Sequence, residues 1–212
     1  MPMKSMSDNI IKILHSLSGK YSVYEIFANW VEMMALAFAQ AVWYEEKREA
    51  AYKDVSSRYT VEELTRLYEA TAYLWEWAEV EMTDMLGYIY MHLDLGSKSH
   101  GQFFTPYHIC KLMARLPEYE EGLIRVNEPT CGAGGNVIAL AEALKDKGLN
   151  YQQLMRATLQ DLDIKAVYMS YVQMCIFGIP AVVFQSDTLR DPNGLESSVG
   201  RLYSTGYLLL FA

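Results

Sequence analysis

From the start of the chain to about position 95, apolar side chains recur at every third or fourth position, the period of a helix with one buried face. Ser22-Val23-Tyr24-Glu25 reads as a capping box, in which the serine receives a backbone N–H and the glutamate reaches back to the cap. Ile26, Trp30, Met33, Met34, Ala37, Ala41 and Trp43 follow near helical spacing. The stretch then turns charged through Glu45-Glu46-Lys47-Arg48-Glu49, and the pattern predicts one helix to about residue 57. Thr60-Val61-Glu62-Glu63 is a second capping box, and Leu64, Leu67, Ala70, Leu74, Trp77 and Val80 carry the period on to about residue 93. Two long helices joined by a short turn predict an antiparallel hairpin, with a shorter helix over 8–17 packed on it. Trp30, Trp43, Trp75 and Trp77 all fall in this half. Spacing alone explains them as helix packing, and the breadth of apolar surface leaves room for a docking face whose place the sequence does not give.

The pattern changes after Leu95. Gly96-Ser97-Lys98-Ser99-His100-Gly101 is a linker of small residues, separating a helical region over 1–95 from a second domain over 96–212. Thr105 is placed as an N-cap and Pro106 at the first position of a helix running to about residue 116. Beyond it, short apolar runs predict strands over 123–127, 156–160, 181–184 and 207–211, with helices over 136–147 and 164–177 between them. Strands alternating with helices mean βαβ units on a parallel sheet, an α/β fold.

Of 212 residues, 51% are apolar and 21% charged, enough for a packed core and too little charge for wholesale disorder. No run approaches the roughly 18 uncharged apolar residues of a membrane span. The N-terminal stretch lacks the apolar core and cleavage site of a signal peptide. Cys110, Cys131 and Cys175 form no CxxC pair, which argues against a disulfide framework or a zinc site and for a reducing, cytoplasmic setting. The net charge of −8 is uneven: residues 1–95 hold 8 Lys/Arg against 15 Asp/Glu, residues 96–212 hold 10 against 11. Nucleic-acid affinity comes largely from Lys and Arg neutralising phosphates. The chain is therefore expected to meet DNA only through a complex whose basic partner supplies the grip.

The strongest local signal is Asn127-Glu128-Pro129-Thr130-Cys131-Gly132-Ala133-Gly134-Gly135, between the first predicted strand of the second domain and a helix. Glycines there let the backbone turn sharply and approach a ligand, at the strand ends where α/β sheets bind nucleotide-like molecules. No Gly-Lys-Ser/Thr follows, and the spacing is not Gly-x-Gly-x-x-Gly, which excludes a phosphate loop and a dinucleotide fingerprint. Instead Glu128-Pro129-Thr130-Cys131-Gly132-Ala133-Gly134-Gly135 resembles the Asp-Pro-x-Cys-Gly-x-Gly-Gly motif of N6-adenine DNA methyltransferases, especially the modification subunits of type I restriction systems. Gly101-Gln102-Phe103-Phe104-Thr105-Pro106 matches that family's other S-adenosylmethionine motif. Leu159-Gln160-Asp161-Leu162-Asp163 stands where the family has Gly-Gln-Glu, and Gln185-Ser186-Asp187-Thr188-Leu189 where it has Gly-Asp-Thr-Leu.

The resemblance implies a Rossmann-like methyltransferase fold behind an α-helical N-terminal region, with S-adenosylmethionine as cofactor. It implies that Phe104, Thr105 and Pro106 flank the methionine part of that cofactor. Glu128 and the backbone of Cys131, Gly132 and Gly134 would receive its amino-acid end, Asp161 the ribose hydroxyls, and Asp187 the adenine amino group. Other readings stay open: Asp161 or Asp163 could cap the following helix, Asp187 could belong to a surface turn with Asp191-Pro192-Asn193-Gly194, and Glu128 is one methylene longer than the family's aspartate. Cys131 has no partner spacing for a nucleophile. The family's Asn/Asp-Pro-Pro-Tyr/Phe loop, which accepts the target amine and stacks on the flipped base, occurs nowhere in the sequence. By family the chain is thus an adenine-specific DNA methyltransferase of the restriction-modification type, with no catalytic residue to name and turnover impaired or dependent on a specificity or catalytic partner. The alternative is a non-enzymatic module docking on a restriction-modification complex. An open sheet edge also favours self-association or a partner.

Overall fold

Both capping boxes form. Ser22 N–H donates to Glu25 Oε2 at 2.8 Å and Thr60 N–H to Glu63 Oε2 at 2.7 Å, while each hydroxyl accepts the N–H three residues on. The computed structural model describes residues 2–93, 104–119, 122–192 and 202–205. The chain divides into two compact units, residues 1–103 and 104–212.

The first unit holds α1 (Pro2–Ser16), α2 (Val23–Val42), α3 (Glu46–Ser56), α4 (Val61–Val80) and α5 (Met85–His92). Two helices expected to be continuous are therefore broken. At the first break Trp43 is extended, and the Gln40 side chain holds the turn by accepting the Glu45 N–H at 3.1 Å and donating to the Glu45 carbonyl. At the second, Asp84 caps α5 by accepting the Gly87 N–H at 3.0 Å. The breaks also replace the antiparallel hairpin. Tyr21 meets Tyr59 ahead of α2 and α4, and Phe38 meets Trp75 towards their ends, so α4 runs beside α2 in the same sense. Its core is built from Ile10, Leu14, Phe27, Trp30, Leu67, Leu74, Trp77 and Tyr90, all essentially inaccessible to solvent. Trp30 keeps its indole N–H satisfied on Thr71 Oγ1 at 2.9 Å, as a buried donor must.

The second unit holds α6 (Tyr107–Arg115), β1 (Ile124–Glu128), α7 (Gly135–Asp146), α8 (Tyr151–Leu154), β2 (Met155–Asp161), α9 (Ile164–Ile176), β3 (Ala181–Gln185) and β4 (Leu202–Ser204). The sheet order is β1-β2-β3-β4. β1, β2 and β3 are parallel, in a register that aligns Val126, Ala157 and Ala181. β4 pairs antiparallel with β3, a strand the sequence pattern did not single out. The strand expected over 207–211 lies outside the described residues. Helix α9 covers the face of β2 and β3 carrying Ala157, Leu159, Ala181 and Val183, all buried, while Arg156, Thr158 and Val182 of the opposite face are only half-buried. Helix α6 lies on α7 through small residues, Cys110 and Ala114 against Ala139 and Ala143. Its N-cap is Pro106, one residue beyond the expected Thr105, and no side chain caps it.

Candidate functional site

Three parallel strands ending together create the site. Glu128 is the last residue of β1 and Asp161 the last of β2, which the register sets beside Gln185 at the end of β3. The chain leaves β1 through a bend over residues 129–134. Cys131 N–H donates to the Gln160 carbonyl at 2.9 Å, and Gly134 N–H to the Cys131 carbonyl at 2.8 Å. Gly132 N–H donates to Asp161 Oδ2, also at 2.9 Å. Gly132 and Gly134 sit at φ +52° and +92°, the left-handed region that side-chain-bearing residues avoid. Gly134 then caps α7.

Helix α9 supports the bend from behind. Gln173, fully buried, donates its side-chain amide to the Ala133 carbonyl at 2.7 Å, and Cys131 Sγ lies 3.5 Å from Ser170 Oγ. A Cβ at Gly134 would come within 3.1 Å of Met174 Cε and 3.3 Å of Ser170 Cβ, so α9 packs too close for anything larger. Phe104 lies on the other side: a Cβ at Gly132 would stand 2.8 Å from its Cδ1. Phe104, from the motif ahead of α6, is thereby brought onto the glycine bend.

Two carboxylates share this place. Glu128 Oε2 accepts from Asn136 Nδ2 at 3.1 Å. Burial pushes the Glu128 carboxyl above its ordinary range, the bonds from Asn136 and the Thr130 N–H pull it back, and the charge of Asp161 adds to the rise. Asp161 accepts the Gly132 N–H on one oxygen and the Asp163 N–H on the other at 3.0 Å. Each carboxylate oxygen has a second lone pair, so Asp161 can still accept from a ligand. Among the described residues, neither carboxylate forms an ion pair with Lys or Arg. Burial drives the Cys131 thiol far above its usual range, which keeps it protonated and unsuited to attack.

Other residues named from the sequence stand further off. Thr105 and Pro106 are exposed just ahead of α6. Asp163 caps α9 by accepting the Lys165 N–H at 2.9 Å. Asp187 spends its contacts on its own turn: Oδ1 accepts the Leu189 N–H at 3.0 Å, and Oδ2 lies 3.5 Å from Arg190 Nε. The Thr188 hydroxyl joins that turn to the bend by donating to the Pro129 carbonyl. Asn136, Ser170 and Gln173 were not singled out from the sequence. Asn136 directly follows the glycines, which was a usable signal; the other two are interior positions of an apolar helix.

A model of the N-6 DNA methylase family matches residues 81–199, more than half of the sequence. The chain belongs to this family. Its parallel strands, helical crossovers and glycine bend form a Rossmann-like methyltransferase fold with an incomplete sheet, behind an α-helical N-terminal region. Among solved structures, it is similar to the type I restriction-modification system methyltransferase subunit from Streptococcus thermophilus, at 14% identity and a TM-score of 0.45. That similarity covers 92% of this chain, which spans 61% of that subunit's length. No curated protein sequence matches the chain. No helix among the described residues is long and apolar enough to cross a membrane.

Proposed function

We propose that this chain binds S-adenosylmethionine at the glycine bend between β1 and α7, as the cofactor-holding part of an adenine-N6 DNA methylation system of the restriction-modification type. The observation that carries this reading is the pair of carboxylates, Glu128 and Asp161, gathered on a left-handed glycine bend without a basic partner among the described residues. Such a donor set suits a ligand that brings positive charge and adjacent hydroxyls. S-adenosylmethionine has a sulfonium, an ammonium and a ribose diol, and when bound it supplies an electrophilic methyl group.

In this reading Glu128, steadied by Asn136, accepts the ammonium, and the backbone of Cys131, Gly132 and Gly134 lines the amino-acid end. Asp161, oriented by the Gly132 and Asp163 N–H groups, accepts the ribose hydroxyls on its remaining lone pairs. Phe104 covers the bend, with Thr105 and Pro106 at its rim. Asp187 takes the adenine amino group by giving up its contact with the exposed Arg190, which costs little. The catalytic Asn/Asp-Pro-Pro-Tyr/Phe loop is not among these 212 residues, so methyl transfer draws on a partner or on residues outside them. We place this work in the cytoplasm.

Calorimetric titration with S-adenosylmethionine tests the reading. Folded wild-type protein should bind, and Asp161→Ala should weaken binding by about 1–3 kcal/mol through loss of charge-assisted hydrogen bonds. No heat from a folded sample would refute cofactor binding, whereas unchanged affinity in the variant would remove Asp161 from the site. Radiolabelled methyl transfer to unmethylated DNA should stay at background for this chain alone.

A further inference from the structure

The helical unit carries a surface that the cofactor site does not use. Tyr68 and Trp75 stand two turns apart on α4 and are 54% and 42% exposed. The Tyr68 hydroxyl lies 3.2 Å from that of Tyr52 on α3, and the Trp75 ring lies 6.1 Å from Phe38 on α2. Rings from three helices thereby form one strip. The turn between α2 and α3 also exposes Trp43 and Tyr44, at 69% and 67%. Single exposed apolar residues are ordinary on a protein surface; a run of large aromatic ones marks a contact site.

The charge beside this strip is predominantly negative: residues 45–81 hold 10 Asp/Glu against 5 Lys/Arg. Residues 69–81 of the chain include Glu69, Glu76, Glu79 and Glu81 and no Lys or Arg. The turn leads into Glu45 and Glu46, followed by Lys47 and Arg48, and the charge of Glu49 reaches Tyr52. Arg48, Lys53 and Arg66 answer Glu45, Glu49 and Glu69. Glu46, Glu76, Glu79 and Glu81 have no basic partner among the described residues. Exposed rings among uncompensated carboxylates select a flat cation, because a guanidinium stacks on a ring while its forked N–H groups meet a carboxylate. A lysine ammonium lacks that fork. Nucleic acid would meet repulsion from the same carboxylates, and a second copy of the chain would set like charge against like charge.

The geometry points to a docking face for an arginine-bearing segment of a partner protein. The full chain should bind a short peptide of alternating Arg and Gly saturably in calorimetric titration. Binding should be about tenfold weaker for the matching Lys-Gly peptide and about tenfold weaker for Trp75→Ala, as expected for lost cation–ring contacts. Trp43→Ala, in a side chain exposed enough to leave the fold intact, should weaken binding likewise; circular dichroism confirms that both variants fold. Lack of saturation, equal affinity for the two peptides, or affinity unmoved by either substitution overturns the assignment. Tighter binding of a single-stranded oligonucleotide, or a dimer dissolved by either substitution, overturns it as well.

Discussion

Glu128 ends β1 with its carboxyl held above the ordinary range, first by burial. A carboxyl raised on folding binds its proton more tightly in the folded state. The stability it contributes is complete below the ordinary glutamate range and is lost as pH rises through its folded value. Glu128→Gln removes that charge while retaining an acceptor for Asn136. Thermal melts should show the variant above wild type near pH 7, with the gap narrowing towards about pH 4; a gap independent of pH would disprove the account. The ammonium of a bound cofactor would oppose the rise and favour ionised Glu128. Glu128, Gly132 and Asp161 were all legible in the sequence because short motifs carried them. Their hydrogen bond was not, since Gly132 and Asp161 are 29 residues apart and meet only through the β1–β2 register. Ser170 and Gln173 stayed hidden because an apolar helix gives no local sign of which polar side chain faces a neighbouring loop.

Two polar links and a small-residue seam hold helix α6 on α7. The Tyr107 hydroxyl and Lys111 Nζ both donate to Glu142, at 2.9 and 2.7 Å, beside the small-residue seam of Cys110, Ala114, Ala139 and Ala143. The Arg115–Asp146 pair further along is open to solvent. Glu142→Ala should cost about 1–3 kcal/mol in urea melts, because it strands two partly buried donors. Arg115→Ala should change stability by less than about 1 kcal/mol; equal losses would show that the seam alone holds the pair. Capping boxes were readable because two side-chain choices, three positions apart, specify them. Neither break, at 43–45 or 81–84, contains proline or glycine, and periodicity runs through both. Only the capping carboxylate of Asp84 and the amide of Gln40 mark them, and both residue types are also common on helix surfaces. Thr105 was displaced by one residue as cap because Pro106, without an N–H, can take the cap position itself.

The net charge of −8 works against any encounter with DNA by this chain unaided. Fluorescence anisotropy with duplex DNA at physiological salt should show little binding; a tight complex weakening steeply with added salt would reverse that expectation. The fold class was legible because alternation of strand and helix is a property of whole segments. The antiparallel β4 was not, being only three residues long. The contact of Phe104 with Gly132 has an evolutionary consequence. A larger residue at 132 would evict the ring, and a smaller one at 104 would uncover the bend, so across descendants of this sequence the two positions are free to drift only in concert.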